Sequence, residues 1–480
     1  MSLHTLGRWV RDSARRTPER VAIDYLGREV TYAELERRSD GLAAELLERG
    51  LRRGERVATL TGNSPEHVIV FFACAKAGLL LVPLNWRLAA PELRFQLDDA
   101  EPSVFLVEDE HAALAEATGW ESEPLAPPVD GAEPVATQVA DDDGLLLIYT
   151  SGTTGRPKGA VLTHANCFWT NLSFDLATGL TGDDVVLQLL PQFHCGGWNV
   201  QSLLTWWKGG KVVLERSFDA ARVLDLLAEK RVTAMMGVPA IYLFLSQQPG
   251  FLRADLSHLR LAVVGGAPMP DELLRTWQAR GIEIVQGYGL TEAAPNVLCL
   301  PPEDAMRKLG SAGKPYAFVE TRLRDEGELE VRGPNVFPGY WRNPEATAEV
   351  LRDGWLRTGD LAEIDDDGYH RILGRLKDMF ISGGENVYPA EVESVLHEHP
   401  GVADAAVVGV PDERWGEVGV AFVVAAEPVE DEALIAYCRE RLARYKVPKL
   451  VRFVDALPRS AMNKVLKDEL RALGASEVPA

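Results

Sequence analysis

Tyr149-Thr-Ser-Gly-Thr-Thr-Gly-Arg-Pro-Lys-Gly159 closes the apolar run Leu145-Leu-Leu-Ile-Tyr149, so a strand leads into a loop of hydroxyl residues and glycines that ends on a lysine. Phosphate oxygens take converging backbone N–H groups, hydroxyl donors and one cation, and glycine lets the backbone come close. Thr150, Ser151, Gly152, Thr153, Thr154, Gly155 and Lys158 are therefore candidate phosphate ligands. The spacing differs from the Gly-x-x-x-x-Gly-Lys-Ser/Thr loop of phosphotransferases. A run of this length and composition is also more than an ordinary glycine turn.

Outward from this loop, apolar runs at Arg56-Val-Ala-Thr-Leu60, Leu80-Leu-Val-Pro83 and Val104-Phe-Leu-Val107 alternate with helix-like segments. The same alternation returns from Val185 to Gly289 and predicts parallel α/β sheets. Thr31-Tyr-Ala-Glu34 has the form of a capping box and opens a helical pattern of Leu35, Leu42, Leu46 and Leu47 that stops at Gly50. The stretch from Ala117 to Asp143 reads as a surface connection. After Gly310, short β-like pieces separated by turn residues predict a small β-rich subdomain. A helix over 389–397, strands over 405–410 and 418–424 and a helix over 431–444 predict a separate α+β domain at the C-terminal end. The expected fold is α/β, with a large multi-subdomain N-terminal domain over 1–374 and a small C-terminal domain over 375–480.

At about 150 residues per domain, 480 residues suggest roughly three folding regions. Lysine and arginine number 50 against 71 acidic residues, and the net charge of −21 argues against nucleic acid as a partner. It leaves a small anionic substrate open, because a nucleotide site needs only a few aimed amides and cations. The five cysteines are widely spaced and form no Cys-x-x-Cys pair, so neither a disulfide framework nor a zinc site is suggested, and a reducing cytoplasm fits best. No transmembrane segment is expected: the most apolar stretch, Val68 to Leu84, is broken by Lys76 and Gly78 and reads as core. The N-terminus lacks the apolar run of a signal peptide.

The 149–159 segment resembles the phosphate-binding loop of the adenylate-forming superfamily, which includes acyl- and aryl-CoA synthetases, carrier-protein adenylation domains and beetle luciferases. Further signatures are resembled in the same order by Gln286-Gly-Tyr-Gly-Leu-Thr-Glu292, Trp355-Leu-Arg-Thr-Gly-Asp360, Gly374-Arg-Leu-Lys-Asp378 and Leu457-Pro-Arg-Ser-Ala-Met-Asn-Lys464. The resemblance implies that a carboxylate attacks the α-phosphate of ATP, pyrophosphate leaves, and a thiol then attacks the acyl adenylate. It implies Glu292 as the Mg²⁺ ligand, consistent with magnesium's preference for carboxylate, water and phosphate oxygens, and Thr291 at the α-phosphate. Tyr288 would stack on adenine, with Gln286, Gly287 and Gly289 around the nucleotide and Gly265-Gly-Ala-Pro268 lining the adenine and acyl pocket; Gly266, Ala267 and Pro268 are the nucleotide-side residues. Asp360 would take the ribose hydroxyls, and Arg375 the ribose or phosphate region. Lys464 would be the catalytic lysine bridging carboxylate and α-phosphate, with Asn463 standing where the family has glycine. The resemblance also places Lys377 at the hinge of a C-terminal domain that would move after adenylation and in its second pose would present Ser382, Gly383 and Gly384 to pantetheine.

Within the superfamily, Ile381-Ser-Gly-Gly-Glu-Asn-Val-Tyr-Pro389 and Arg444-Tyr-Lys-Val-Pro448 resemble the CoA ligases. CoA is thus the expected acceptor, with Arg87, Tyr445 and Lys446 gripping its nucleotide end by charge and stacking. Pro191-Gln-Phe-His-Cys-Gly-Gly-Trp-Asn199 resembles the family's acid-binding gate: His194 would contact the carboxylate, and Gly196, Trp198, Asn199, Val238, Pro239 and Gly265 would line the acyl pocket. None of the wall residues carries a charge, so the expected acid is a hydrophobic monocarboxylate, either a medium- or long-chain fatty acid or an aryl or cinnamic-type acid. An adenylating enzyme that loads a carrier protein and a nucleotide-binding protein without turnover are the alternatives. A monomer and a symmetric homodimer both stay open.

Overall fold

Thr31 starts the helix Tyr32–Glu48 as its sequence predicts, its hydroxyl accepting the Glu34 N–H at 3.2 Å. The reciprocal half of the box is replaced, because the Glu34 carboxylate takes the Arg38 guanidinium one turn on, at 3.1 Å. Helix Pro65–Ala77 has the Ser64 hydroxyl as its cap, proline in its first turn and Gly78 in the left-handed conformation after its end. This helix carries much of the most apolar stretch and is buried on every side. No helix among the described residues is long and apolar enough to cross a membrane.

The computed structural model describes residues 4–125, 138–150, 157–267, 269–382, 385–412, 414–460 and 464–475. The chain divides into two units, the first taking 1–269, 273–321 and 331–356, the second 270–272, 322–330 and 357–480.

In the first unit a seven-stranded sheet runs in the order Gly339–Tyr340, Lys158–Thr163, Gly144–Thr150, Leu80–Leu84, Arg56–Leu60, Val104–Val107, Glu123–Pro124. Pairings from Gly144–Thr150 outward to Glu123–Pro124 are parallel, and the two at the other end are antiparallel. A nine-stranded sheet has Ile284–Gly289, Leu261–Val264, Ala234–Gly237, Val185–Gln188, Lys211–Leu214 and Val21–Tyr25 as consecutive parallel neighbours. Its core includes Leu187, Met235, Ala262, Val264, Ile284, Tyr242 and Trp277, all buried, which is why these strands read as apolar runs in the sequence.

The strands expected after Gly310 form a five-stranded sheet from Glu320–Leu323, Glu328–Arg332, Leu351–Arg352, Trp355–Ile364 and His370–Arg375. The long stretch of the second unit begins at Arg357, ahead of the boundary read after Gly374. The reason is a hairpin: Asp360 pairs with Arg375 and Leu361 with Gly374, so the strand before that glycine cannot be separated from the strand that contains it. Farther on, Val402–Asp412 and Gly416–Ala425 pair antiparallel, and Phe380–Ser382 and Leu450–Phe453 both pair with Gly416–Ala425. Val407, Ala421 and Val423 pack on Val392, Leu396 and Leu434 of helices Pro389–His397 and Asp431–Arg441. Residues of opposite parity, Ala406, Val408, Val420 and Phe422, pack with Leu470 of helix Lys467–Ala475. Both faces of the two central strands are covered, so the alternation of polar and apolar residues seen on half-exposed strands is absent from them.

Candidate functional site

Strands Val185–Gln188, Ala234–Gly237, Leu261–Val264 and Ile284–Gly289 lie side by side and parallel, so their carboxyl ends fall at one edge of the sheet. Beyond those ends come Pro191–Gly197, Val238, Gly265–Ala267 and the turn at Thr291–Ala293. Segments scattered over a hundred residues of sequence thus meet where open α/β sheets bind their ligands.

The Thr291–Ala293 turn is clamped from several sides. A Cβ on Gly289 would overlap the Pro295 carbonyl oxygen, so the chain enters the turn through an approach that glycine alone permits. Leu290 N–H donates to that same carbonyl at 3.1 Å, Phe337 N–H donates to the Glu292 carbonyl at 2.8 Å, and the Asn335 amide donates to the Ala293 and Asn296 carbonyls at 2.9 Å each. The Tyr340 hydroxyl donates to Glu292 Oε1 at 2.8 Å. The Cys195 thiol donates to Thr291 Oγ1 at 3.5 Å, and burial pushes that thiol up to about 11, so it stays a neutral donor. The Tyr340 and Cys195 contacts lay beyond the sequence reading. A single hydrogen bond from an uncharged phenol, among the described residues, leaves Glu292 most of its acceptor capacity, and a carboxylate beside the Thr291 hydroxyl is the hard-oxygen set that magnesium takes together with water and phosphate. Magnesium therefore fits the residues present. On the strand leading in, Gln286 is 8% exposed and its Nε2 meets no hydrogen-bond partner among the described residues, a donor left over for a polar ligand.

Of the phosphate-loop residues, Thr150 and Lys158 are described and pair across the two strands, while Ser151, Gly152, Thr153, Thr154 and Gly155 lie outside the described residues, as does Pro268. Lys158 Nζ stands 5.3 Å from the centroid of the Tyr340 ring and 3.9 Å from Glu349.

The residues expected from the sequence to form an acid gate separate into two groups. A Cβ on Gly197 would overlap the Pro191 carbonyl, whereas one on Gly196 would make only ordinary contacts, at 3.6 Å to Leu190 and 3.8 Å to Val200. Trp198 and Asn199, expected as pocket walls, are 0% exposed and are core instead. Trp198 stacks on Phe71 at 4.6 Å and donates its indole N–H to the Gln192 carbonyl at 2.6 Å. Asn199 bonds Cys167 and Asn171. His194 is half-buried with its ring 4.6 Å from that of Phe193. Arg87 lies over Trp86 and over the same Phe193, at 5.0 and 5.7 Å from the ring centroids. Val238 faces Gly266, where a Cβ would stand 3.6 Å from its Cγ1, and Gly265 faces Met236 Cε, where a Cβ would stand at 3.0 Å. Met236 was missed by the sequence reading, although alternation on a strand whose Met235 is core would have pointed to it.

The second unit holds the other candidates. The Arg375 Nε meets Asp360 Oδ1 at 2.7 Å across paired strands, and the Asp360 N–H donates to the Thr358 hydroxyl at 3.0 Å. Lys377 is exposed in the 3₁₀ turn Leu376–Asp378. Ser382 is buried at the end of its strand, and Gly383 and Gly384 lie outside the described residues. Tyr445 is 36% exposed. Lys446 Nζ is ion-paired with Glu391 at 2.7 Å. Partial burial works against that ammonium's charge, but the hydrogen bond and charge of Glu391 outweigh it and hold the group above its usual range. Lys464 is exposed, its N–H 3.3 Å from the Ser460 hydroxyl and its carbonyl accepting the Ser460 N–H at 2.8 Å; Asn463 lies outside the described residues.

The chain matches the family model of the AMP-binding enzymes over residues 10–341 and that of the AMP-binding enzyme C-terminal domain over 391–464. It is 47% identical to a feruloyl-CoA synthase of Amycolatopsis sp, over 97% of this chain and 98% of the relative. An indoleacetate–CoA ligase of Aromatoleum aromaticum is 42% identical, over 98% of each chain. Among solved structures, an O-succinylbenzoate coenzyme A synthetase from Bacillus subtilis in complex with ATP and magnesium ion superposes with a TM-score of 0.90 at 36% identity, over 96% of this chain and 99% of that one.

Proposed function

Because the chain belongs to the AMP-binding enzyme family, we propose that it joins a hydrophobic, aryl-bearing monocarboxylic acid to coenzyme A. It is an AMP-forming acid–thiol ligase that uses ATP, Mg²⁺ and CoA. The observation that carries the reading of the site is the convergence of Thr291, Glu292, Gly265, Gly266, Val238 and the Pro191–Gly197 segment at the carboxyl ends of four adjacent parallel strands.

In the first half-reaction a carboxylate oxygen of the acid attacks the α-phosphorus of ATP and the bond to pyrophosphate breaks. In the second, the CoA sulfur attacks the acyl carbon and AMP leaves. Glu292 would hold the magnesium ion, whose positive charge would offset the negative charge of the triphosphate. Thr291 holds the α-phosphate and Lys158 the phosphate chain, the Tyr288 ring and Gly266 take adenine, and Asp360 and Arg375 take the ribose. Lys464 stabilises the charge that develops between carboxylate and α-phosphate. Lys377 is the pivot on which the tail turns to bring Ser382 and its neighbouring glycines to the thiol. The acid lies between Gly196 and the wall made by Met236, Val238 and Gly265, with His194 near its carboxylate. These wall residues carry no charge, which supports a hydrophobic acid, and the feruloyl and indoleacetate relatives support a ring. The five cysteines, all free and buried, support work in a reducing cytoplasm.

The test is release of AMP and pyrophosphate from Mg-ATP, with and without CoA, over acetate, octanoate, palmitate, benzoate, 4-coumarate and ferulate. The expected result is CoA-dependent AMP formation with 4-coumarate or ferulate at a kcat/KM at least about a hundredfold above that with acetate. Pyrophosphate exchange without CoA-dependent turnover would move the acceptor to a carrier protein. Palmitate outrunning both phenylpropenoic acids would reject the aryl reading.

Lys446→Ala is expected to raise KM for CoA by only about threefold and to leave pyrophosphate exchange unchanged, because the ammonium is already partnered by Glu391 and partly exposed. Steady-state kinetics in CoA checks this, and an unchanged KM takes Lys446 out of the CoA site.

A further inference from the structure

The backbone of Tyr340 is held on both sides. Gly339 and Tyr340 pair antiparallel with Val161 and Ala160, on the strand that carries Lys158. The Tyr340 N–H donates to the Thr347 hydroxyl at 2.9 Å, and the next amide, Trp341 N–H, donates to the Gly159 carbonyl at 2.7 Å. Its ring packs edge-on against Phe337 at 5.0 Å, and Phe337 in turn holds the Glu292 carbonyl. From this fixed position the hydroxyl reaches Glu292 Oε1 at 2.8 Å, and the ring face carries the Lys158 ammonium at 5.3 Å from its centroid.

A phenol differs from a lysine or arginine in what it does to a carboxylate. It restricts the rotamer through a charge-assisted hydrogen bond but brings no positive charge, so the carboxylate keeps its full attraction for a divalent cation. The aromatic face meanwhile gives the lysine a site of its own through cation–π attraction. We propose that Tyr340 is a positioning residue that aims the Glu292 carboxylate at magnesium and places Lys158 beside it, joining the lysine end of the phosphate loop to the metal carboxylate. The inference rests on the reading of Glu292 as the magnesium ligand.

The experiment compares wild type, Tyr340→Phe, Glu292→Gln and the double variant in the full chain. Manganese(II) serves as a paramagnetic probe, titrated by electron paramagnetic resonance in the presence of α,β-methylene-ATP, and the Mg²⁺ dependence of AMP formation is measured alongside. Tyr340→Phe is expected to bind manganese about tenfold more weakly, to need correspondingly more Mg²⁺, and to melt at the wild-type temperature. In the Glu292→Gln background the same change is expected to add nothing, since the tyrosine acts through that carboxylate. Wild-type manganese affinity in Tyr340→Phe overturns the proposal, and so do losses that add in the double variant. Failure of the wild type to form AMP with any acid would reject the ligase reading, while the manganese comparison would still decide the role of Tyr340.

Discussion

Lys464→Ala is expected to slow formation of the acyl adenylate by about a hundred- to a thousandfold and to leave thioester formation from a supplied acyl adenylate near its wild-type rate. The described main chain beside the lysine has anchoring contacts of its own. Ser460 and Lys464 exchange backbone and hydroxyl hydrogen bonds, and Arg459 bridges to Val465. Arg459 also pairs with Asp404 at 2.5 Å, and Lys467 with Glu393 at 2.7 Å. These contacts anchor the main chain on both sides of the lysine, and Lys464→Ala is expected to melt near the wild-type temperature, which calorimetry checks. Pyrophosphate exchange reports the first half-reaction, and CoA-dependent consumption of synthetic acyl adenylate reports the second. An equal loss in both would reject a tail that serves the two steps in different poses.

Gly289→Ala is expected to destabilise the protein by about 3 kcal/mol and to lower AMP formation by at least about a hundredfold. The added methyl group would overlap the Pro295 carbonyl oxygen, which also receives the Leu290 N–H, so the collision falls on the entry to the turn that carries Thr291 and Glu292. Neither partner is a flexible side-chain end that can swing aside. The strain must shift the backbone, and a displacement near 1 Å at groups that position a phosphoryl centre costs about that much in rate. Calorimetry and AMP release measured together check both parts. A variant that melts and turns over like the wild type would mean that the close approach does not set the turn.

The elements legible in the sequence were those whose cause is local. The Thr31 cap, the helix Pro389–His397 and the apolar strands each depend on residues within a turn or two, and they appear where expected. Helix Asp431–Arg441 stops short of the expected residue 444 because Leu442 is already extended. The candidate site was legible as motifs but not as contacts. Tyr340 meets Glu292 across 48 residues and Cys195 meets Thr291 across 96, and no periodicity carries information over such separations. Lys446 looked available because Glu391, its partner, lies 55 residues away. Trp198 and Asn199 were misplaced for a related reason: a short irregular segment does not reveal which of its side chains face inward, and Phe71, which stacks on Trp198, belongs to a distant helix.

The adjacent glycines at 196 and 197 have unequal evolutionary freedom. Gly197 is closed to any other amino acid by the Pro191 carbonyl, so a descendant that changes it loses the loop itself. Gly196 has room for a side chain, with only Leu190 and Val200 at ordinary contact distance from its first carbon. If Gly196 lines the acid pocket as proposed, selection for a smaller acid can proceed by single steps at 196 while 197 stays fixed, with an open path through one codon and a barrier at the next.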